Sequence, residues 1–226
     1  MAIQMNHLHT YVWKRTELPI SALRGGGRFQ LKTDLGRRIR VKAESAGARQ
    51  LIQSGIVRPV VAKDAAMAMS SDGYKLLDIR PSWEREKARV AGSLHVPLFV
   101  QDMDNSPLTL LKKWVHFGYI GLWTGQNFTM LNPDFIQQVE AIVPDKKTKL
   151  LVACGEGLRS MMAVSKLYNG GYKNLGWLAG GFNRSVDGNF PDTEGPEKLQ
   201  YATIGGVSYY FFQLLVLLQA VDKNSN

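Results

Sequence analysis

Residues 149–160 read Lys-Leu-Leu-Val-Ala-Cys-Gly-Glu-Gly-Leu-Arg-Ser, an apolar run that passes directly into a loop holding the single cysteine of the chain, Cys154. The apolar residues before Cys154 predict a buried strand, and the residues after the loop, 160–168, favour a helix. Similar strand-like runs lie at 58–61, 74–79, 92–97 and 175–178, separated by helix-prone segments at 63–69 and 133–143. Strands that alternate with helices predict an α/β fold, in which a parallel sheet is flanked by helices.

The position of Cys154 makes its loop a candidate binding site, because ligands of α/β proteins bind beyond the carboxyl ends of the strands. Gly155 and Gly157 have no Cβ and allow a tight turn whose amides point inward, as in an anion site. The positive field of such amides, with the guanidinium of Arg159, favours a thiolate that acts as a nucleophile. The candidate loop comprises Gly155, Glu156, Gly157, Leu158, Arg159 and Ser160. The alternative is an inert buried thiol at the end of a strand.

Several stretches of the sequence, in this order, resemble one known family. They are 76–84 (Leu-Leu-Asp-Ile-Arg-x-x-Trp-Glu), 91–97 (Ala-Gly-Ser-Leu-His-Val-Pro), the loop region 150–160, and 171–181, which ends in Gly180-Gly181. They resemble the rhodanese-like domains, a family of sulfurtransferases that form a persulfide, and the resemblance covers roughly residues 55–190. Together with the basic start and the apolar end of the chain, the pattern is similar to the plant chloroplast members in particular.

The resemblance implies a mechanism in which the Cys154 thiolate takes the outer sulfur of a donor and passes it to an acceptor. The donor would be thiosulfate or a thiol persulfide, and the acceptor an external thiol, such as that of a thioredoxin-like protein. No cofactor and no metal site is implied. In the family, the residues that correspond to Asp78 and Arg80 brace the scaffold of the loop. The six-residue loop from Cys154 to Arg159 matches the sulfur-handling members, since phosphatase-type relatives carry one residue more.

Glu156 departs from the loops of many active members, which have a basic or neutral polar residue beside the cysteine. Its carboxylate would repel dianionic thiosulfate, although salt would weaken the effect. We therefore expect poor thiosulfate turnover and a preference for a thiol persulfide or a protein donor. The alternative function is a non-catalytic or redox-sensing docking module, or an anchoring module at a plastid membrane.

Positive charge is concentrated at the start of the chain, whose formal net charge is +9. Residues 1–43 carry nine Lys or Arg side chains against Glu17 and Asp34, so the rest of the chain is nearly neutral and a nucleic-acid partner is not expected. An arginine-rich, acid-poor start is typical of an organelle transit peptide. We predict a chloroplast transit peptide over 1–43, with a basic tail that stays attached as the alternative. A single cysteine excludes an intramolecular disulfide and a multi-cysteine zinc site.

The predicted rhodanese-like domain covers 44–192 and contains an insertion at 98–132 that is rich in aromatic residues: Trp114, Phe117, Tyr119, Trp123 and Phe128. We expect these rings to be packed, because large aromatic side chains are usually buried. A linker and an apolar helix follow at 193–226. Its stretch 201–221 has 21 residues without a formal charge, enough to cross a bilayer as a helix. We predict a span of a thylakoid or other plastid membrane there, and a helix docked on the domain is the alternative.

Overall fold

The computed structural model describes residues 46–224, so the transit peptide predicted at 1–43 lies outside the described residues. The strands are β1 (Val57–Val61), β2 (Lys75–Asp78), β3 (Arg89–Val90), β4 (Leu94–His95), β5 (Phe99–Gln101), β6 (Thr129–Leu131), β7 (Leu150–Ala153), β8 (Leu175–Ala179) and β9 (Thr193–Glu194). The helices are α1 (46–53), α2 (Ala65–Ser70), α3 (Ser82–Lys87), α4 (Pro107–His116), α5 (Leu122–Thr124), α6 (Phe135–Ile142), α7 (Leu158–Asn169) and α8 (Gly206–Asn224). A π-helical turn, Phe117–Gly121, joins α4 to α5, and 3₁₀ turns lie at Ala62–Asp64, Phe182–Arg184 and Leu199–Tyr201.

Five strands form a parallel sheet in the order β1-β8-β7-β2-β4, which confirms the predicted α/β fold. The central strand β7 pairs with β2 on one side and with β8 on the other, so that Leu151 lies opposite both Leu76 and Gly176. Two short antiparallel pairs, β3 with β9 and β5 with β6, lie outside this sheet. Because all five strands run the same way, their carboxyl ends share one edge, and Cys154 follows β7 in the middle of that edge.

Apolar side chains cover both faces of the sheet. On one face, α6 and α7 pack against the strands through residues such as Val139, Val152 and Leu167, which are fully buried. On the other face, Leu151 packs in a second cluster that includes Phe182 and residues of α2. All four residues of β7 are buried, as expected for a parallel strand with helices on both sides. The strand therefore offers only its end, at Cys154, to a ligand.

The insertion at 98–132 is more regular than its sequence predicts. The ribbon of β5 and β6 leads into α4, which begins at Pro107 and is capped by Ser106, whose hydroxyl accepts from the Thr109 amide at 3.4 Å. The expectation that its aromatic rings are packed is wrong for four of the five. Trp114, Phe117, Tyr119 and Trp123 are 75%, 59%, 84% and 52% exposed, and Phe128 is half-buried.

The apolar C-terminal helix is present, but it begins later than the uncharged stretch does. Helix α8 starts at Gly206, which has a positive φ of 61°. Only 16 uncharged helical residues precede Asp222, a length of about 24 Å against the roughly 30 Å of a hydrocarbon core. Within residues 46–224 the structure holds no helix with the length and hydropathy of a membrane span. The span predicted at 201–221 is therefore not shown by the described residues.

Candidate active site

The sulfur of Cys154 is held by the start of α7. The amides of Gly157 and Ser160 donate to Sγ at N···S distances of 3.1 and 3.3 Å. The Ser160 hydroxyl lies 3.4 Å from Sγ and donates to the Gly157 carbonyl at 2.9 Å. Gly157 has a φ of 90°, which residues with a side chain rarely adopt, and this turn brings its amide to the sulfur. Two amide donors at a helix N-terminus stabilise a negative charge on Sγ.

The same loop has further amide donors. No acceptor among residues 46–224 is found for the amides of Gly155, Glu156, Leu158 and Arg159. Leu158 and Arg159 are the first two residues of α7, whose N–H groups have no partner inside the helix. An anionic group next to Sγ could accept from these amides, so the backbone has the composition of an anion-binding loop.

The turn after β8 fixes the floor of the loop. The amides of Phe182 and Asn183 donate to the carbonyls of Cys154 and Gly155 at 2.9 and 2.8 Å. Gly181, with a φ of 64°, permits this approach, since a Cβ on it would lie closer than 3.0 Å to both carbonyl oxygens. The Gly180-Gly181 pair singled out in the sequence thus has a steric reason, which is close contact with the cysteine loop.

The guanidinium of Arg159 is paired with a carboxylate, whereas the sequence predicts an unpaired positive charge beside Cys154. Its Nη1 and Nη2 donate to the two carboxylate oxygens of Glu84 at 2.8 and 2.6 Å, and only 6% of the Glu84 side chain is exposed. Burial lowers the pKa of the Arg159 guanidinium, but the hydrogen bonds and charge of Glu84, with the charge of Cys154, outweigh burial and hold that pKa above its usual value. The guanidinium keeps its positive charge, but the Glu84 carboxylate beside it opposes its field at the sulfur.

Asp78 and Arg80 form a buried ion pair behind the loop. Arg80 donates to Asp78 through Nε at 3.0 Å and Nη2 at 2.7 Å, and both side chains are 0% exposed. Nη2 of Arg80 also donates to the Ala88 carbonyl at 2.7 Å, and the guanidinium carbon lies 4.4 Å from the ring centroid of Phe182. Neither Asp78 nor Arg80 lines the cavity at Cys154. Since the Phe182 amide donates to the Cys154 carbonyl, Arg80 contacts a residue that supports the loop, and the bracing role implied by the resemblance stays a prediction.

A cavity of about 460 Å³ opens above the cysteine. Of the predicted loop residues, Cys154, Glu156, Leu158 and Arg159 line it, whereas Gly155, Gly157 and Ser160 lie behind them. The other walls come from Pro81, Trp83 and Glu84, from the insertion (Phe99, Thr124, Gln126, Asn127, Thr129), from Asn183, and from the C-terminal segment (Thr203, Ile204, Ser208). Glu156 is exposed at the rim, while Cys154 is 0% exposed at the floor. A donor therefore has to enter the cavity to reach Sγ.

Sequence reasoning missed the walls that come from outside the signature stretches. Thr203 is one example, because it follows the domain predicted to end at 192 and yet its methyl group occupies the space that a Cβ on Gly155 would need. Its hydroxyl donates to Asn183 at 2.8 Å, which ties the C-terminal segment to the turn after β8. Glu84 was noted only as a part of the first signature. A contact between residues 75 positions apart leaves no local pattern that would reveal it.

This arrangement of a parallel sheet, a cysteine after its central strand and an amide-lined loop agrees with the family comparison. The family model described as Rhodanese-like domain matches residues 61–186, more than half of the chain. The chain belongs to the rhodanese-like domain family. The resemblance drawn from the sequence is thereby confirmed, and the family is sulfurtransferase-like in its chemistry.

Plant members of the rhodanese-like family are similar to this chain over much of its length. Rhodanese-like domain-containing protein 10 of Arabidopsis thaliana is 55% identical over 223 residues, which cover 98% of this chain and 97% of that protein. Rhodanese-like domain-containing protein 11, chloroplastic, of the same plant is 41% identical over 160 residues, 71% of this chain and 54% of that protein. Thiosulfate sulfurtransferase 18 of Arabidopsis is 27% identical over 136 residues, 58% of this chain and 82% of that protein.

Among solved structures, this rhodanese-like chain is similar to a thiosulfate sulfurtransferase from Pseudomonas aeruginosa. The TM-score is 0.43 and the sequence identity 16%, with 70% of this chain and 24% of that chain covered.

Proposed function

We propose that this rhodanese-like protein transfers a sulfur atom through a persulfide on Cys154, with a thiol persulfide as donor and an external thiol as acceptor. The observation that carries the proposal is the pair of hydrogen bonds from the Gly157 and Ser160 amides to Sγ at the floor of a cavity. Membership of a sulfurtransferase-like family supports the class of chemistry.

The reaction consists of two displacements at sulfur. In the first, the Cys154 thiolate attacks the outer sulfur of a donor persulfide, R–S–S⁻; a new S–S bond forms at Cys154, the donor S–S bond breaks, and R–S⁻ leaves with the electron pair. In the second, an acceptor thiolate attacks the outer sulfur of the Cys154 persulfide, and the Cys154 thiolate is regenerated. One S–S bond forms and one breaks in each step, so no further oxidant or reductant is needed. The chain has one cysteine, so the acceptor thiol comes from another molecule.

The charges around the cavity favour this donor over thiosulfate. Among the described residues that line the cavity, Glu84 and Glu156 are acidic and Arg159 alone is basic. The bidentate pair leaves the Glu156 carboxylate without a compensating charge in the lining. A dianion such as thiosulfate is repelled by this carboxylate, whereas a thiol persulfide carries one charge at its outer sulfur. The remaining walls combine apolar side chains, such as Trp83 and Phe99, with hydroxyl and amide groups, and this mixture suits a peptide-like thiol.

We place the activity in a plastid. The arginine-rich, acid-poor composition of residues 1–43 supports this location. So do the names of similar Arabidopsis proteins, rhodanese-like domain-containing proteins 9, 11 and 14, which are described as chloroplastic.

The proposal is tested by intact-mass measurement after incubation with cysteine persulfide or with thiosulfate. We expect Cys154 to gain one sulfur atom, a thiol to remove it, and the Cys154→Ser variant to gain none. We also expect the kcat/KM for cysteine persulfide, whose net charge is −1, to exceed that for thiosulfate at least about tenfold, equivalent to about 1.4 kcal/mol. Failure of every donor to add sulfur to Cys154 would instead favour the alternative, a docking module whose cysteine only senses an oxidant.

A charge variant tests the donor preference separately. Glu156→Gln should raise thiosulfate turnover at low salt and leave persulfide turnover nearly unchanged. Glu86→Gln, an exposed acid on α3 that does not line the cavity, is the matched control. Equal thiosulfate turnover in the two variants would remove the electrostatic basis of the preference.

A further inference from the structure

Helix α4 exposes its apolar residues and buries a polar one, which is the opposite of a helix that packs on a core. Its polar residue Thr109 is 7% exposed and donates to Asp104, while the apolar residues face outward. These are Leu108, Leu110, Leu111, Trp114 and Val115, between 46% and 75% exposed. At 100° per residue they fall on one continuous stripe that covers about 160° of the helix circumference. The described part of the chain therefore leaves the apolar side of α4 exposed to solvent.

Lysines border this stripe on both sides. In the same projection Lys112 lies about 40° beyond Leu108, and Lys113 lies about 60° beyond Leu110. No Asp or Glu occurs between Asp104 and Asp134, so the helix and its continuation carry only positive formal charge. An apolar stripe with tryptophan, bordered by lysines, is typical of helices that lie in a membrane–water interface.

Further exposed apolar residues follow α4 and lie on α8. Tyr119 and Trp123 lie beyond α4. On α8, the exposed apolar residues are Tyr210, Phe211, Leu214, Leu215, Leu217 and Leu218, between 52% and 74% exposed. Helix α5 packs against α8 where Gly125 meets Gly205 and Gly206, and a Cβ on Gly125 would lie 2.6 Å from the Gly206 nitrogen. Helices α5 and α8 are thereby held in contact. We name the exposed apolar residues of α4, of 117–123 and of α8 together the apolar face.

We propose that the apolar face binds the surface of a lipid bilayer that contains anionic lipid, with α4 and α8 lying in the interface. The positive charge of the bordering lysines attracts anionic headgroups, with the Lys113 ammonium also donating to the Asp104 carbonyl at 2.7 Å. The exposed Trp and Tyr rings are side chains that favour this zone. A second copy of the chain is a poorer occupant, because a two-fold contact between α4 helices would bring Lys112 and Lys113 of both copies together. This inference does not depend on the sulfur chemistry.

Docking would also bring the active-site cavity close to the bilayer. Trp123 belongs to the apolar face, and the next residue, Thr124, lines the cavity at Cys154. On α8, Ser208 lines the cavity while Phe211, one turn further, is exposed. The cavity wall and the apolar face are therefore formed by the same two segments of the chain.

The experiment is co-sedimentation of the full chain with vesicles of phosphatidylcholine containing about one quarter phosphatidylglycerol. It is carried out at low salt and at about 0.5 M NaCl, since high salt screens the contribution of the basic residues 1–43. Leu111→Ser with Trp114→Ser tests α4, and Leu214→Ser with Leu218→Ser tests α8. In high salt we expect each double variant to bind at least about tenfold more weakly than the unaltered chain.

A matched control separates docking from a general loss of exposed apolar surface. Met67→Ser with Val186→Ser removes two side chains that are each 63% exposed and lie outside the apolar face, and its vesicle binding should be unchanged. Circular dichroism of all variants checks that they fold. Binding equal to that of the unaltered chain in either double variant would overturn the assignment of that helix. A dimer in light scattering that Leu111→Ser with Trp114→Ser dissociates, without any loss of vesicle binding, would overturn the proposal in favour of self-association.

Discussion

The ion pair of Glu84 and Arg159 gives the sharpest prediction, because it should stabilise the fold and at the same time reduce the attraction of the cavity for anionic donors. Removing one partner of a buried pair costs roughly 3–5 kcal/mol. Glu84→Gln keeps an oxygen that can accept one of the two hydrogen bonds, and a quarter of the Arg159 side chain is exposed to water. We therefore expect a loss of about 2 kcal/mol in the free energy of unfolding, which lowers Tm by about 4–8 °C for a chain of this length.

The same substitution should improve the binding of anionic donors. With Glu84 uncharged, the Arg159 charge is no longer neutralised beside Cys154, so thiosulfate turnover should rise while stability falls. The assays are thermal unfolding and steady-state kinetics, with Glu86→Gln on the same helix as control. A Tm equal to that of Glu86→Gln, or thiosulfate turnover that fails to rise in the folded variant, would refute the view that Glu84 both holds and neutralises Arg159.

Three further substitutions test the scaffold, each measured by urea unfolding. Gly181→Ala should lower the free energy of unfolding by more than about 3 kcal/mol, because Gly181 has a positive φ and an added Cβ would overlap two carbonyl oxygens. The control Gly73→Ala, at a positive φ in open space, should cost about 1–2 kcal/mol. Similar losses in the two variants would show that the loop moves aside. The loss of stability caused by Gly155→Ala should be partly restored by Thr203→Ser, because the second change removes the overlapping methyl group. A double-mutant cycle should give a coupling energy of about 1 kcal/mol or more between the two positions. Additive losses would argue against this contact. Asp78→Asn should cost about 3–5 kcal/mol, since it leaves the fully buried Arg80 without its counter-ion, and a loss below about 1 kcal/mol would contradict the bracing role.

The sheet could be predicted from sequence because its signals are local. The apolar run that ends at Ala153 and the similar runs at 74–79 and 175–178 became adjacent strands, since a strand buried on both faces needs a continuous apolar run. The cysteine loop was readable only in part. The position of Gly157 is set by the turn, where its φ is 90°, whereas Gly155 leaves space for the methyl group of the distant Thr203.

The insertion could have been predicted in part. Ser106 followed by Pro107 is a helix start, with a capping hydroxyl and a proline at the first helical position, and α4 begins there. The outward orientation of its aromatic residues could not be predicted, because burial statistics favour the opposite. The start of α8 was misplaced for a related reason, since an uncharged stretch fixes composition and not where a helix begins. Gly205 and Gly206 mark that point by their close contact with Gly125.

The contacts that form the cavity join parts of the chain that sequence patterns treat separately. The family match ends at residue 186, yet Thr203, Ile204 and Ser208 line the cavity. The guanidinium of Arg159 is held by Glu84 on another helix, so the backbone amides at the start of α7 are the donors left to hold an incoming anion. Amide dipoles act over a short distance, so they stabilise any anionic sulfur that has entered the loop. The Glu156 carboxylate at the rim carries a full charge, so it acts on a donor before the donor enters the cavity. Under the proposed function we therefore expect selection among donors mainly at the entrance of the cavity, whose walls include the insertion and the C-terminal segment.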